Sequence, residues 1–314
     1  MLPIMRKSGS TILKEKAPVI YKVLLTSSIR ITRRRIKHYI KQNNPKKAVE
    51  IVYNNKERRI DWNNPKNINE KLQCLKVGKY YNNSVIAQCV DKVTVKDYVK
   101  NKGIKCRCAE TYQVCNKPDE INWEKLPEKF VIKCNHGCGY NIICNNKDSV
   151  DKQEVIGILN EWLKEDFWIN YCEPQYKFIA KKILIEENLG ENIKTYKFYC
   201  FNGIPRILYV SSNGEGGNDE KDLYLDYFDM NFKWLDITLG EHLHLGNKVV
   251  RPENWEELKK MAAEFAREFP FVRVDLYDVE GNIYLSELTF MPTGGYMELK
   301  PEKTLEEWGS WLEI

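Results

Sequence analysis

The sequence predicts an α+β protein, and three observations carry that expectation. Apolar residues recur at helical spacing in residues 18–41, 149–168 and 251–269. Strand-like runs cover Phe130–Ile132, Ile142–Cys144 and residues 177–189, 196–212 and 271–290. Asn202-Gly203 and Glu280-Gly281-Asn282 then interrupt two of those runs with the residues that tight reversals favour. The chain has 314 residues, of which 43% are hydrophobic, so it holds enough apolar material for two or three structural lobes.

The elements follow in order. Residues 18–41 place Leu25, Ile29, Ile36 and Ile40 on one side of a helix, while Arg30, Arg33, Arg34, Arg35, Lys37 and Lys41 crowd the others. Such a helix suits an anionic membrane surface or an acidic polymer, and equally a solvated surface of its own protein. Asn67 is placed to cap a helix that carries Leu72 and Leu75, and Val90–Lys100 suggests another short helix. Ser149 or Asp151 caps the helix of residues 149–168. Pro252 stands near the start of the last of the three amphipathic helices, with acidic residues in its first turn.

Charge is uneven along the chain. Residues 1–60 hold 16 Lys and Arg against 3 Asp and Glu, a balance of +13, whereas the whole chain is +5, which leaves the remainder at −8. No apolar run is long enough to span a bilayer, and Lys7-Ser8-Gly9-Ser10 interrupts any signal-peptide core. Ten cysteines without a secretory segment read as reduced cytoplasmic thiols. Cys106, Cys108 and Cys115, or Cys134, Cys138 and Cys144, lack paired zinc-ligand spacing and read better as free thiols.

Two stretches suggest chemistry. In residues 271–290, Arg273 and Asp275 share one face of a strand, Glu287 and Thr289 share one face of its partner, and the reversal at Gly281 brings Asp275 near Glu287 to within one register step. Converging carboxylates suit Mg²⁺ on phosphate oxygens, with the guanidinium meeting the remaining negative charge; a sheet face of exposed charges is the other reading. In residues 130–144, Lys133 ends a strand, and Gly137 and Gly139 precede the next. A lysine there supplies a point charge for a phosphate, and glycines let backbone N–H groups approach its oxygens; a plain hairpin needs them too. His136, within this loop, is placed to meet phosphate or substrate, or equally to shape the loop or face solvent, while His242 and His244 alternate like strand residues.

The order of lysine strand, glycine loop, second strand, "ILIEENL", and then a late Asp and Glu-x-Thr resembles the ATP-grasp superfamily. From about Asp61 onward, "NPKNINEKL", "VIKCNHGCGYNII", "YKFYCFNGIPR" and "FVRVDLYDVEGNIYLSELTFMPTGG" are similar to its TupA-like branch, named for teichuronopeptide biosynthesis. The resemblance implies an α+β ATP-grasp fold, two α+β lobes clasping ATP behind a helical N-terminal region. It divides the chain into a basic leader (1–60), a pre-ATP-grasp region (61–118), a small lobe with the glycine loop and hinge (119–190) and a C-terminal lobe with the metal site (191–314).

By position, Lys133 and Lys197 resemble phosphate-contacting lysines, and Gly137 and Gly139 the loop that closes over the phosphates. Backbone near Glu186 and Leu189 resembles the adenine-reading hinge. Asp275 and Glu287 resemble Mg²⁺ ligands, and Arg273 the arginine beside the transferred phosphate. Thr289 stands where the superfamily has a metal-binding Asn, and Thr195 stands where the branch often has Asp, which leaves the ribose contact unassigned. The implied activity is ATP- and Mg-dependent carboxylate–amine ligation through an acyl-phosphate, on a uronic-acid glycan or peptide and an amino acid or amine. A glycan kinase, or a binding protein without catalysis, is the alternative. The implied setting is cytoplasmic, with peripheral membrane contact through the basic leader and no nucleic-acid partner.

Overall fold

The computed structural model describes residues 18–54, 59–190, 193–213, 223–242 and 244–314. Helix α1 (Pro18–Lys41) and helix α2 (Pro45–Asn54) come first. Ile36 and Ile40 of α1 are buried against Ala48, Val49 and Val52 of α2 and against Trp168, so the C-terminal part of the basic helix's apolar side packs on its own protein. The side chain of Leu25, like the first 17 residues of the basic leader, lies outside the described residues. Helices α3 (Ile68–Val77), α4 (Ser84–Val90) and α5 (Val95–Asn101) follow. Asn67 closes a reciprocal capping box with Glu70 at the start of α3, which satisfies amides that the first helical turn leaves unpaired.

Two antiparallel sheets carry the rest, beside a short antiparallel pair of β9 (Thr238–Leu239) and β12 (Leu299–Lys300). The smaller has the order β1 (Thr111–Cys115), β4 (Ile183–Glu187), β2 (Phe130–Cys134) and β3 (Asn141–Cys144). Its strands alternate: Phe130, Ile132, Ile183 and Ile185 are buried against helix α6 (Lys152–Lys164), which leaves Val131, Lys133 and Glu186 for the opposite face. Asp151, not Ser149, caps α6.

The larger sheet runs β11 (Asn282–Thr289), β10 (Phe271–Val279), β5 (Lys194–Phe201), β6 (Ile204–Asn213), β7 (Leu223–Phe228) and β8 (Trp234–Leu235). Asn202 and Gly203 take positive φ in the β5–β6 turn, and Glu280 and Gly281 do so in the β10–β11 turn, as two-residue hairpins require. Val272, Val274, Leu276, Phe198 and Cys200 are fully buried on the face under helix α7 (Trp255–Ala266), where Phe198 stacks on Trp255. At roughly 1.5–3 kcal/mol for each large apolar side chain removed from water, this layer fixes which face of the sheet is core. Arg273, Asp275 and Lys197, one residue out of phase, therefore face the other way.

The chain closes with helix α8 (Lys303–Trp311), packed on α3. His242 and His244 lie outside any strand; His244 instead makes a 2.8 Å hydrogen bond to the Leu225 carbonyl. Among the described residues no helix is long and apolar enough to cross a membrane.

Candidate active site

The exposed faces of the two sheets and the segment 89–96 enclose a cleft of about 290 Å³. Val90, Val95, Val131, Ile143 and Leu285 supply apolar lining, while Lys92, Lys96, Lys133, Glu186 and Glu287 supply charge. Leu189, Ile193 and Thr195 border the same space.

On the larger sheet, a lateral row crosses three strands: Lys197 pairs with Asp275, and Asp275 pairs with Glu287. A bulge makes this row. From Val279–Asn282 to Leu276–Leu285 the two strands step together, and uninterrupted pairing would set Asp275 opposite Ser286. The register shifts there by one residue, so Glu287 turns onto the Asp275 face and Thr289 onto that of Arg273. Arg273 binds the group it faces: Nε donates to Asp275 Oδ1 at 2.7 Å, and Nη2 donates to Asp275 Oδ2 at 2.6 Å, Glu287 Oε1 at 3.0 Å and Thr289 Oγ1 at 3.0 Å. Thr289 donates to Glu287 Oε1 at 2.9 Å. Lys197 stands 3.8 Å from Asp275, with its ammonium over the Tyr209 ring.

The two carboxylates feel different surroundings. Burial pushes Asp275 upward, and the Arg273 fork and Lys197 offset only part of that. For Glu287 burial acts the same way, yet Arg273, Lys92 and Lys197 together outweigh it and bring the carboxyl down to about 2. Glu287 is thus a firmly ionised carboxylate at the cleft wall, with 37% of its side chain exposed. Two carboxylates and a hydroxyl are a hard-oxygen donor set that fits Mg²⁺, which keeps its other positions for water and phosphate. Among the described residues no three His, Cys, Asp or Glu side chains form a metal-binding group, the candidate zinc thiols included.

On the smaller sheet Lys133 donates to Glu186 Oε1 at 2.6 Å, and Lys96 donates to Glu186 Oε2 at 2.6 Å. The Glu186 carboxylate therefore faces lysines, leaving the backbone beyond it, through Leu189, at the cleft edge.

The glycine loop is pinned at its start. Asn135, fully buried, donates to Asp91 and to the Ala180 carbonyl and accepts from the Lys182 amide. His136 is buried as well, and its Nε2 donates to the Trp162 carbonyl at 3.1 Å. Of the roles open to it, this bond fits that of shaping the loop, because the ring is held against the Trp162 carbonyl. Burial, which disfavours the charged form, holds its pKa below the ordinary value.

The two glycines serve different ends. A Cβ on Gly137 would sit 2.6 Å from Tyr140 and 2.8 Å from Phe167, and Tyr140 is itself stacked on Trp162 and edge-on to Phe167. Gly139 has open space but a φ of +78°. Gly137→Ala should therefore destabilise the fold by about 1–3 kcal/mol through overpacking, and Gly139→Ala by roughly 1–2 kcal/mol through backbone conformation alone. The distinction is visible in Gly139→Asn, which should recover most of that loss because Asn tolerates positive φ. Urea midpoints for the three variants check this, and equal losses for Gly139→Ala and Gly139→Asn would discard the backbone explanation.

Sequence reasoning missed Lys92 and Lys96. Lys92 donates to the Gly137 carbonyl at 2.6 Å, which ties the glycine loop to the segment before α5. The four-residue spacing of the two lysines was the available signal, but nothing in it says that the segment folds against the cleft.

A Mycoplasma capricolum subsp. capricolum protein described as an uncharacterized RNA pseudouridine synthase is 27% identical over 271 residues, covering 74% of this chain and 87% of that protein. Among solved structures, the D-alanine–D-alanine ligase of Bacillus anthracis complexed with ATP is 17% identical with a TM-score of 0.41, over 70% of this chain and 57% of that one. The Helicobacter pylori D-alanine–D-alanine ligase is 16% identical with a TM-score of 0.42, over 78% and 69%. The family described as TupA-like ATPgrasp matches residues 70–313, a span that holds both sheets, the cleft and the opposed carboxylates, and this chain belongs to that family.

Proposed function

We propose that this protein is an ATP-dependent ligase that joins a carboxylate to an amine. The observation that supports this best is the cleft, with Lys133 on one wall and the ionised Glu287, set opposite Asp275, on the other. In this reading the small lobe ends at the hinge near residue 190. Backbone near Glu186 and Leu189 takes adenine, the apolar lining holds the base, and Lys133 and Lys197 face the phosphates. The loop carrying Gly137 and Gly139 lies over them. Asp275, Glu287 and Thr289 would hold Mg²⁺, which supplies charge neutralisation for the phosphoryl group when bound.

A substrate carboxylate oxygen attacks the γ-phosphorus, the bond to the β-phosphate oxygen breaks, and ADP leaves with that electron pair. The amine nitrogen then attacks the acyl carbon, phosphate departs, and the nitrogen loses a proton to give the amide. The protein's part is positioning and electrostatics: Lys133 and Arg273 face charge that builds on the transferred group.

The carboxylate is a uronic-acid glycan or an acidic peptide of a cell-surface polymer, and the second substrate an amino acid or amine. The charge on α1 supports a polyanion: Arg30, Arg34, Arg35 and Lys41 are exposed, and no described residue pairs with them. The same surface suits the inner face of an anionic membrane. Salt-sensitive sedimentation with anionic vesicles, lost on removing residues 1–42, is the expected behaviour, and unchanged sedimentation returns the helix to a solvated surface.

The decisive experiment is Mg-ATP turnover against a panel of uronic-acid glycans with amino acids. A ligase releases ADP and free phosphate and forms an amide. Phosphate found on the glycan instead makes the protein a kinase, and absence of ATP binding leaves a binding protein. Lys133→Ala should weaken ATP binding by roughly 1.5–3 kcal/mol, the worth of one charged hydrogen bond; wild-type affinity in that variant removes the lysine from the site.

A further inference from the structure

Lys133 and Lys96 share one carboxylate but hold it differently. Lys96 reaches from α5 and spends all three of its N–H donors: on Glu186 Oε2 at 2.6 Å, on the Ala109 carbonyl at 2.7 Å and on Thr111 Oγ1 at 2.8 Å. Lys133 has one acceptor among the described residues, Glu186 Oε1 at 2.6 Å, so its other two donors are free to face the cleft. Glu186 exposes 7% of its side chain. A carboxylate so buried is costly to leave without a partner.

These facts create a conflict for Lys133. If Lys133 turns from Glu186 toward a triphosphate, its departure without a second cation would strand a buried charge. Lys96 removes the conflict, because it is anchored on the Ala109 carbonyl and the Thr111 hydroxyl as well and stays when Lys133 moves. Burial alone would raise Glu186, yet Lys133 and Lys96 together hold it below the ordinary carboxylate range, and burial of Lys133 is likewise outweighed by Glu186. We propose that Lys96 is a positioning residue that retains Glu186, so that Lys133 can exchange from this carboxylate to the phosphates of ATP. Glu186 is then the parking place of Lys133 in the nucleotide-free cleft. The exchange to phosphate rests on the ATP reading given above, but the parking itself does not.

The test therefore has a nucleotide-free arm. Acylation of Lys133 with an amine-reactive anhydride, followed by mass spectrometry, reports how readily that amine leaves its carboxylate. Lys96→Met should slow labelling of Lys133 by on the order of tenfold, since Glu186 then has no other partner, and should weaken Mg-ATP binding by a similar factor. Adding Glu186→Gln to Lys96→Met should restore both, because the trap is neutralised. A lysine that touched phosphate itself would not be rescued this way. Should Lys96→Met fail to fold, Glu186→Gln alone must speed the labelling of Lys133. Unchanged labelling in folded Lys96→Met, an ATP defect that the double variant retains, or no acceleration in Glu186→Gln overturns the proposal. If wild-type protein binds no ATP, the ligase reading fails while the labelling arm still decides whether Lys133 is parked.

Discussion

Glu287→Gln should abolish Mg-dependent turnover and leave the fold intact. The substitution is nearly isosteric and keeps an oxygen for Arg273 and Thr289 to reach, so the hydrogen bonds at 3.0 and 2.9 Å survive. What it removes is charge. Arg273, Lys92 and Lys197 hold Glu287 ionised with a pKa of about 2, against the pull of burial. Losing that ionised ligand should cost on the order of a hundredfold or more in turnover, as removal of a preorganised electrostatic group does elsewhere. Steady-state rates across a Mg²⁺ titration check this, and a folded variant with full activity would falsify the metal assignment.

The same substitution changes acid stability in a defined direction. A folded pKa of about 2, lowered from 4.5, means that the ionised form contributes stability above pH 4.5 and that this contribution is lost as pH falls toward 2. Glu287→Gln removes the slope in that window. Wild-type and variant unfolding curves should therefore converge near pH 2 and separate above pH 4.5; parallel curves throughout would contradict it.

Arg273→Met should carry the largest stability loss among substitutions at this site. Its guanidinium makes hydrogen bonds of 2.6, 2.7, 3.0 and 3.0 Å to three side chains and is 12% exposed. Methionine fills much of the volume but leaves Asp275, 1% exposed, with only Lys197 at 3.8 Å. Removing one partner of a buried ion pair costs about 3–5 kcal/mol. Arg273→Lys should recover only part of this, because one ammonium cannot span acceptors that a planar fork reaches together. Adding Asp275→Asn to Arg273→Met should return some of the loss by deleting the stranded charge. Denaturant unfolding measures all three, and a loss below about 1 kcal/mol for Arg273→Met would mean that the pair is solvated after all.

Much of this arrangement is legible in the sequence because it is written in local chemistry. Asn67 and Asp151 cap helices with their own side chains, and Asn202-Gly203 and Glu280-Gly281 supply the positive φ of two-residue turns. Alternation in residues 271–276 separates the buried Val272, Val274 and Leu276 from Arg273 and Asp275 by the two-residue period alone. The strand lysine and the glycines of residues 130–144 are equally readable, though only their spacing is, not their surroundings.

Other features depend on residues far apart in the chain, and no local rule contains them. Gly137 is required by the rings of Tyr140 and Phe167 rather than by open space, and the burial of His136 follows from the Trp162 carbonyl in α6. Lys92 and Lys96 look like two charges near a short helix until that segment folds against the cleft. The bulge at Ser286 is the sharpest case. Counting back from the turn sets Asp275 against Ser286, whereas the folded hairpin sets it against Glu287. By itself, then, the sequence determined the helices that Asn67 and Asp151 cap, the two hairpin turns and the face of Arg273 and Asp275, since caps, turns and alternation act over a few residues. Only the tertiary structure decided the register that sets Glu287 directly opposite Asp275, because one inserted residue in a strand reverses every side chain beyond it.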